Sequence, residues 1–158
     1  DSVEKPFTIL PNPTYKISNA DYQAQFDFLM AVKAEFDSVQ NTIKKIRDVR
    51  SQMKAYTALQ GDKCPKEIKQ LCDSIYKQFT AIEEKLYQTK AKSGQDVLNY
   101  PIQLNDKIAA LYNQGSDGYS AATMQSKEVL QELKQKADAE IKAFHTMMQR
   151  DVNILNTI

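Results

Sequence analysis

One apolar seam constrains this chain more than any other feature. Leu29, Val32, Phe36, Val39, Ile43 and Ile46 recur in alternating steps of three and four, and Met53 follows one heptad later. A 3.5-residue period sustained over more than three heptads belongs to a long helix laid against partner helices, and no strand can satisfy it. Ser18, with Asp21 three residues on, matches a capping box with Asp in place of the usual Glu. Gly61-Asp62 supplies a turn at the far end. The spacing therefore predicts a helix from Ser18 to about Leu59, roughly 60 Å long.

Three further periodic segments follow. Ile68, Leu71, Ile75, Phe79, Ile82 and Leu86 predict a second helix that opens near Pro65 and ends around Lys92. Ser93-Gly94 reads as a link short enough to force an antiparallel return. Val97, Pro101, Leu104, Ile108 and Leu111 carry the seam through a proline, so a third helix is expected over about 95–113, kinked at Pro101 or starting afresh there. The glycines of residues 113–122 mark a loop. A last helix starts near Thr123 and carries Leu130, Leu133, Ala137, Ile141, Phe144, Met148 and Val152, with Lys134, Lys136, Asp138 and Glu140 on its wet side. A short final turn is expected to bring Leu155 and Ile158 inward.

The predicted fold is all-α, an up-down-up-down four-helix bundle over residues 18–158 with an extended N-terminal lead-in. That lead-in, residues 1–17, differs from the rest: Pro6, Pro11 and Pro13 surround the β-prone run Phe7-Thr8-Ile9-Leu10. It reads either as an irregular lead-in or as the strand and linker remnant of an upstream β-domain, and the second is the expectation carried forward.

Composition matters mainly for what it excludes. With 21 Lys and Arg against 20 Asp and Glu, the net charge is +1, which offers no electrostatic reason for a nucleic-acid partner. No apolar run reaches the roughly 20 residues that cross a bilayer. His145 is the only histidine, too few for a multi-histidine zinc site or for the paired Glu-x-x-His of a di-metal bundle. No cofactor or metal is expected. The loop Gly115-Ser116-Asp117-Gly118 lacks the Lys-Ser/Thr of a phosphate loop and the spaced acids of a calcium loop, and reads as a turn. Glu83-Glu84 reads as solvated. Cys64 and Cys72 would stand about 12 Å apart on one helix, beyond the roughly 7 Å a disulfide spans. They are two thiols unless Cys64 folds back from the preceding loop.

One polar constellation stands out. Arg50 occupies the seam between Ile46 and Met53, and Asn105 lies on a second stripe of Leu98, Ile102, Ala109 and Tyr112. Counting through two antiparallel turns sets Asn105 level with residues 44–50. A clasp is therefore expected in which Arg50, with Arg47, hydrogen-bonds Asn105 or Asp106 and fixes register, because a buried unpaired charge costs several kcal/mol.

Four segments carry a resemblance. PFTILPNPTYKISNADYQAQFDFL, IRDVRSQMKA, LNYPIQLNDKIAAL and KEVLQELKQKADAEI are, in that order, similar to the C-terminal end of a family of large secreted bacterial proteins. Those proteins carry sortilin-like, BNR-repeat β-propellers and are classed as glycosyl hydrolases. In them the propeller leads to a small β-domain and then to a helical tail of this type. Pro11-Asn12-Pro13-Thr14 departs from the family's Asp-Pro-Arg type linker, and Asn153 stands where a proline is common. The resemblance implies an exported, non-catalytic C-terminal helical domain whose partners are the β-domains of its parent chain or another protein. Any hydrolytic site would lie in the propeller. The rival from another class is a free-standing helical ligand-binding or sensor domain, which requires convergent polar groups around a pocket.

Overall fold

The computed structural model describes residues 2–10, 12–116 and 120–157. Across them the chain is all-helical, with no β-strand. Helix α1 spans Asn19–Gln60, and its start is the expected capping box. Ser18 Oγ accepts from the Asp21 N–H at 3.1 Å, and the Ser18 N–H donates back to the Asp21 carboxylate at 3.2 Å. These bonds to Ser18 hold the Asp21 carboxyl below its ordinary value. Gly61 ends the helix at φ 53°, a left-handed backbone value that favours glycine.

Helix α1 buries Val32, Val39, Ile46 and Met53 along a central row, with Phe28 and Ile43 beside it. Glu35 and Thr42 are buried in the same band. It is wider than a two-helix seam because α1 touches three other helices along its length.

Helix α2 runs Lys66–Leu86 from its N-cap at Pro65, six residues shorter than expected. Beyond Leu86 the next inward positions are polar (Thr89, Lys90 and Ser93), so no apolar burial offsets the cost of fixing the backbone. The expected third helix also splits. Ser93 and Asp96 do form a capping box, but on the 3-10 turn Gly94–Leu98, and α3 begins only at Leu104 and runs to Ser116. Val97 and Leu98 lie exposed, so the apolar seam does not continue through Pro101. The proline lacks an N–H and disfavours helical geometry at Tyr100, which makes a full break easier than a kink. Its carbonyl instead accepts a bond from Gln88 Nε2 at 2.8 Å, tethering the break to the end of α2.

Thr123 caps α4, Met124–Met147, through the Ser126 N–H at 3.1 Å. A π-helical turn, Met148–Val152, and the short α5, Asn153–Thr157, follow. Leu155 packs on the core as expected; Ile158 lies outside the described residues.

Side-chain pairs give the directions. Arg47 meets Glu83 and Arg50 meets Thr80, so α2 runs against α1. Gln25 Nε2 donates to the Gly115 carbonyl at 2.7 Å, while the other end of α3 adjoins Tyr87 and Gln88. Helix α3 therefore continues in the sense of α2. A Cβ on Gly115 would stand 2.9 Å from a Leu29 methyl, so the bare glycine permits this close approach. Glu35 pairs with Lys134, and Val49 and Met53 share a cavity wall with Met148 and Val152, so α4 runs parallel to α1. The chain does not reverse between α2 and α3, as the up-down-up-down expectation required. The link is residues 87–103, much longer than Ser93-Gly94, and it can step sideways without turning back.

The lead-in carries no regular secondary structure over residues 2–10. Val3, Phe7, Ile9 and Leu10 are 78–85% exposed. A turn at Asn12–Tyr15, closed by the Tyr15 N–H on the Asn12 carbonyl, connects it to the Ser18 cap.

Candidate functional site

The most concentrated polar chemistry inside the fold is a charged triad between α1 and α2. Arg50 projects from the apolar row of α1. Its Nη1 donates to Thr80 Oγ1 at 2.9 Å, and its Nη2 is hydrogen-bonded to Glu83. Arg47, one turn earlier, donates through Nε to the other Glu83 oxygen at 2.6 Å. Glu83 is only 3% exposed, so its two oxygens are served by two guanidinium groups rather than by water. Aromatic rings complete the cluster: the Arg47 guanidinium sits 4.9 Å from the Tyr87 ring centroid and that of Arg50 5.3 Å from Tyr76. Thr80 is held ready as acceptor because its own hydroxyl donates to the Tyr76 carbonyl at 2.8 Å.

Of the four expected clasp residues, the structure brings Arg47 and Arg50 together on Glu83. It leaves Asn105 and Asp106 with each other, Asn105 Nδ2 donating to Asp106 Oδ1 at 3.1 Å. Asn105 is buried and its Oδ1 has no hydrogen-bond partner. The acceptor that the arginines required is the residue read from sequence as solvated. Its position was detectable: Glu83 follows Phe79 by four and precedes Leu86 by three, within the buried band of α2.

A second buried acid escaped notice in the same way. Glu35, 5% exposed on α1, accepts from Nζ of Lys134, which lies on the wet side of α4 as expected and reaches in to it at 2.8 Å. The bonds to Glu35 and then Asp138 raise the Lys134 pKa above its ordinary value. A third lies in the π-turn. Arg150 grips Asp151 with two bonds, Nε to Oδ1 at 2.7 Å and Nη2 to Oδ2 at 2.9 Å. These bonds lower the Asp151 pKa. A depressed folded pKa stabilises the fold above the unfolded value, near 3.9 for Asp, and that contribution is lost as pH falls through the folded value. Asp151→Asn is accordingly expected to lower stability at about pH 7, with the gap closing at about pH 2.5, in urea titrations at both pH values.

His145 lies exposed beside the Phe144 ring, 5.4 Å between centroids. Cys64 and Cys72 are unbonded and both buried; burial, then Cys64, pushes the Cys72 thiol up. Gly115 and Ser116 form the last turn of α3, while Asp117 and Gly118 lie outside the described residues. Among the described residues no group of three His, Cys, Asp or Glu is arranged to hold a metal ion, and no helix is long and apolar enough to cross a membrane.

Chemically, the triad can fix the register of α1 on α2 and present a guanidinium edge to the adjoining groove. It sets no nucleophile beside a base. Comparison with protein-family models, curated proteins and solved structures gives no match to this chain.

Proposed function

We propose that this chain is a non-catalytic helical domain of a larger exported protein, working in the packing of β-domains or in protein contact. The resemblance of its four sequence segments to the tails of BNR-repeat, sortilin-like propeller proteins supplies the parent architecture. Its helices are read as a three-rod bundle in which α1 and α4 are continuous and α2 and α3 share the third rod.

The observation that carries the reading is the lead-in. Phe7, Ile9 and Leu10 are β-prone and apolar, yet they lie almost fully exposed while every long helix buries its apolar face. Addition of such a segment to a sheet edge would cover these side chains and pair their backbone groups. The partner in this reading is a β-domain of the parent chain.

The test is limited proteolysis of the full-length gene product with and without Phe7→Asp and Ile9→Asp. If the lead-in is seated in a β-domain, the double variant is expected to become cleavable within residues 2–17 while the helical region keeps its stability. Equal cleavage of both proteins, or a parent without a β-rich domain, would overturn the reading.

A further inference from the structure

Two cavities flank the end of the fold where α1, α2 and the π-turn meet, and they differ in character. The first, about 330 Å3, lies beside the charged triad, with Arg50, Lys54, Lys69 and Tyr76 on its wall and Asp73 as its one acid. Neither lysine is engaged in an ion pair among the described residues. Arg50 spends two donors on Thr80 and Glu83, and a guanidinium has five, so it can still bind an incoming acceptor. The second cavity, about 460 Å3, is walled mainly by apolar side chains such as Val49, Ile68, Met148, Val152 and Leu155, with Gln52 and Tyr56 also on its wall. Both volumes fall in the range of small-molecule sites.

Met53 and Cys72 line both cavities. One is a flexible thioether, which repacks readily around an inserted group, and the other a small thiol. The π-turn supplies Met148 and Val152 to the apolar wall, and π-turns recur at functional sites because they widen a helix locally.

We propose that these cavities together bind a single-chain anionic amphiphile of the fatty-acid class. Its carboxylate sits among Arg50, Lys54 and Lys69, and its alkyl chain passes Met53 into the space under Met148 and Leu155. The arrangement selects for charge at one end and apolar length at the other. The site is independent of the lead-in, so it can fail or stand without affecting the domain-packing reading.

The experiment is titration of the intact chain, labelled at the methionine methyls, with sodium octanoate below its micellar concentration and with 1-octanol. Octanoate is expected to shift the Met53 and Met148 signals and to leave Met30 and Met124, both exposed on other faces, unmoved. Affinity is expected to fall about tenfold for octanol, and by a similar factor for octanoate on the Lys54→Gln/Lys69→Gln variant, the equivalent of about 1.4 kcal/mol. Equal binding of the alcohol, an unaffected double variant, or shifts that miss Met53 would each overturn the proposal.

Discussion

Glu83→Leu is expected to lower the unfolding free energy by about 3–5 kcal/mol, the usual cost of removing one partner from a buried ion pair. The loss should appear as a lower urea midpoint at unchanged slope, and as a melting temperature reduced by roughly 6–20 °C for a domain of this size. The reason lies in what remains behind. The Arg50 side chain is 15% exposed and would keep only Thr80 as a hydrogen-bond partner, beside the Tyr76 ring. Arg47 is half exposed and can turn to water, so Arg47→Gln should cost less, about 1–3 kcal/mol, set by the buried Glu83 oxygen that loses its donor. The sharper comparison is the double variant Arg50→Met/Glu83→Leu. Apolar replacement of a whole buried pair is often neutral, so most of the lost stability should return. Arg50→Met alone should be destabilising, since it strips Glu83 of its more buried partner. A Glu83→Leu protein as stable as the parent would show that the triad has no structural role.

Where sequence reading succeeded, the signal was local and repetitive. Ser18-Asp21, Gly61, Pro65 and Thr123 fixed helix ends because capping and termination depend on residues within a few positions of each other. The buried row of α1 was legible from period alone. Failure began where the information was not local. A period says that residues 97–111 could share one face, but Pro101 and the exposed Val97 show that they do not. Direction could not be read either, because it rests on contacts distant in sequence, such as Gln25 with the Gly115 carbonyl at the far end of α3. The arginine clasp illustrates both sides. That Arg50 needed an acceptor followed from its place in the seam. Which acceptor it found depended on inter-helix height, and the reversed α3 of the expected topology had set Asn105 there instead of Glu83. Hydropathy then hid Glu83 and Glu35, since charged residues inside a buried band look like a wet face until their partners are known.

Phe144→Ala should be among the most damaging apolar truncations, at about 3–5 kcal/mol. Phe79 and Phe144 are 0% and 1% exposed, and their rings meet at 5.3 Å between centroids with a 49° tilt. They are the apolar junction of α2 with α4, one residue from Thr80 and so at the level of the charged triad. An alanine there leaves a void that rigid helices on both sides cannot close. Phe144→Leu keeps most of the volume and should cost no more than about 1.5 kcal/mol. The ring contact itself is isolated by a cycle of Phe79→Ala, Phe144→Ala and the double variant, where the sum of single losses should exceed the double loss by about 0.5–1.5 kcal/mol. Coupling also separates the two junctions. The triad sets which heights of α1 and α2 meet, so Glu83→Leu can loosen register at little cost in buried area. Phe144→Ala removes area and leaves the charges paired. If the urea midpoint of Phe144→Ala stayed at that of the parent, α4 would not be held on α2 by this pair.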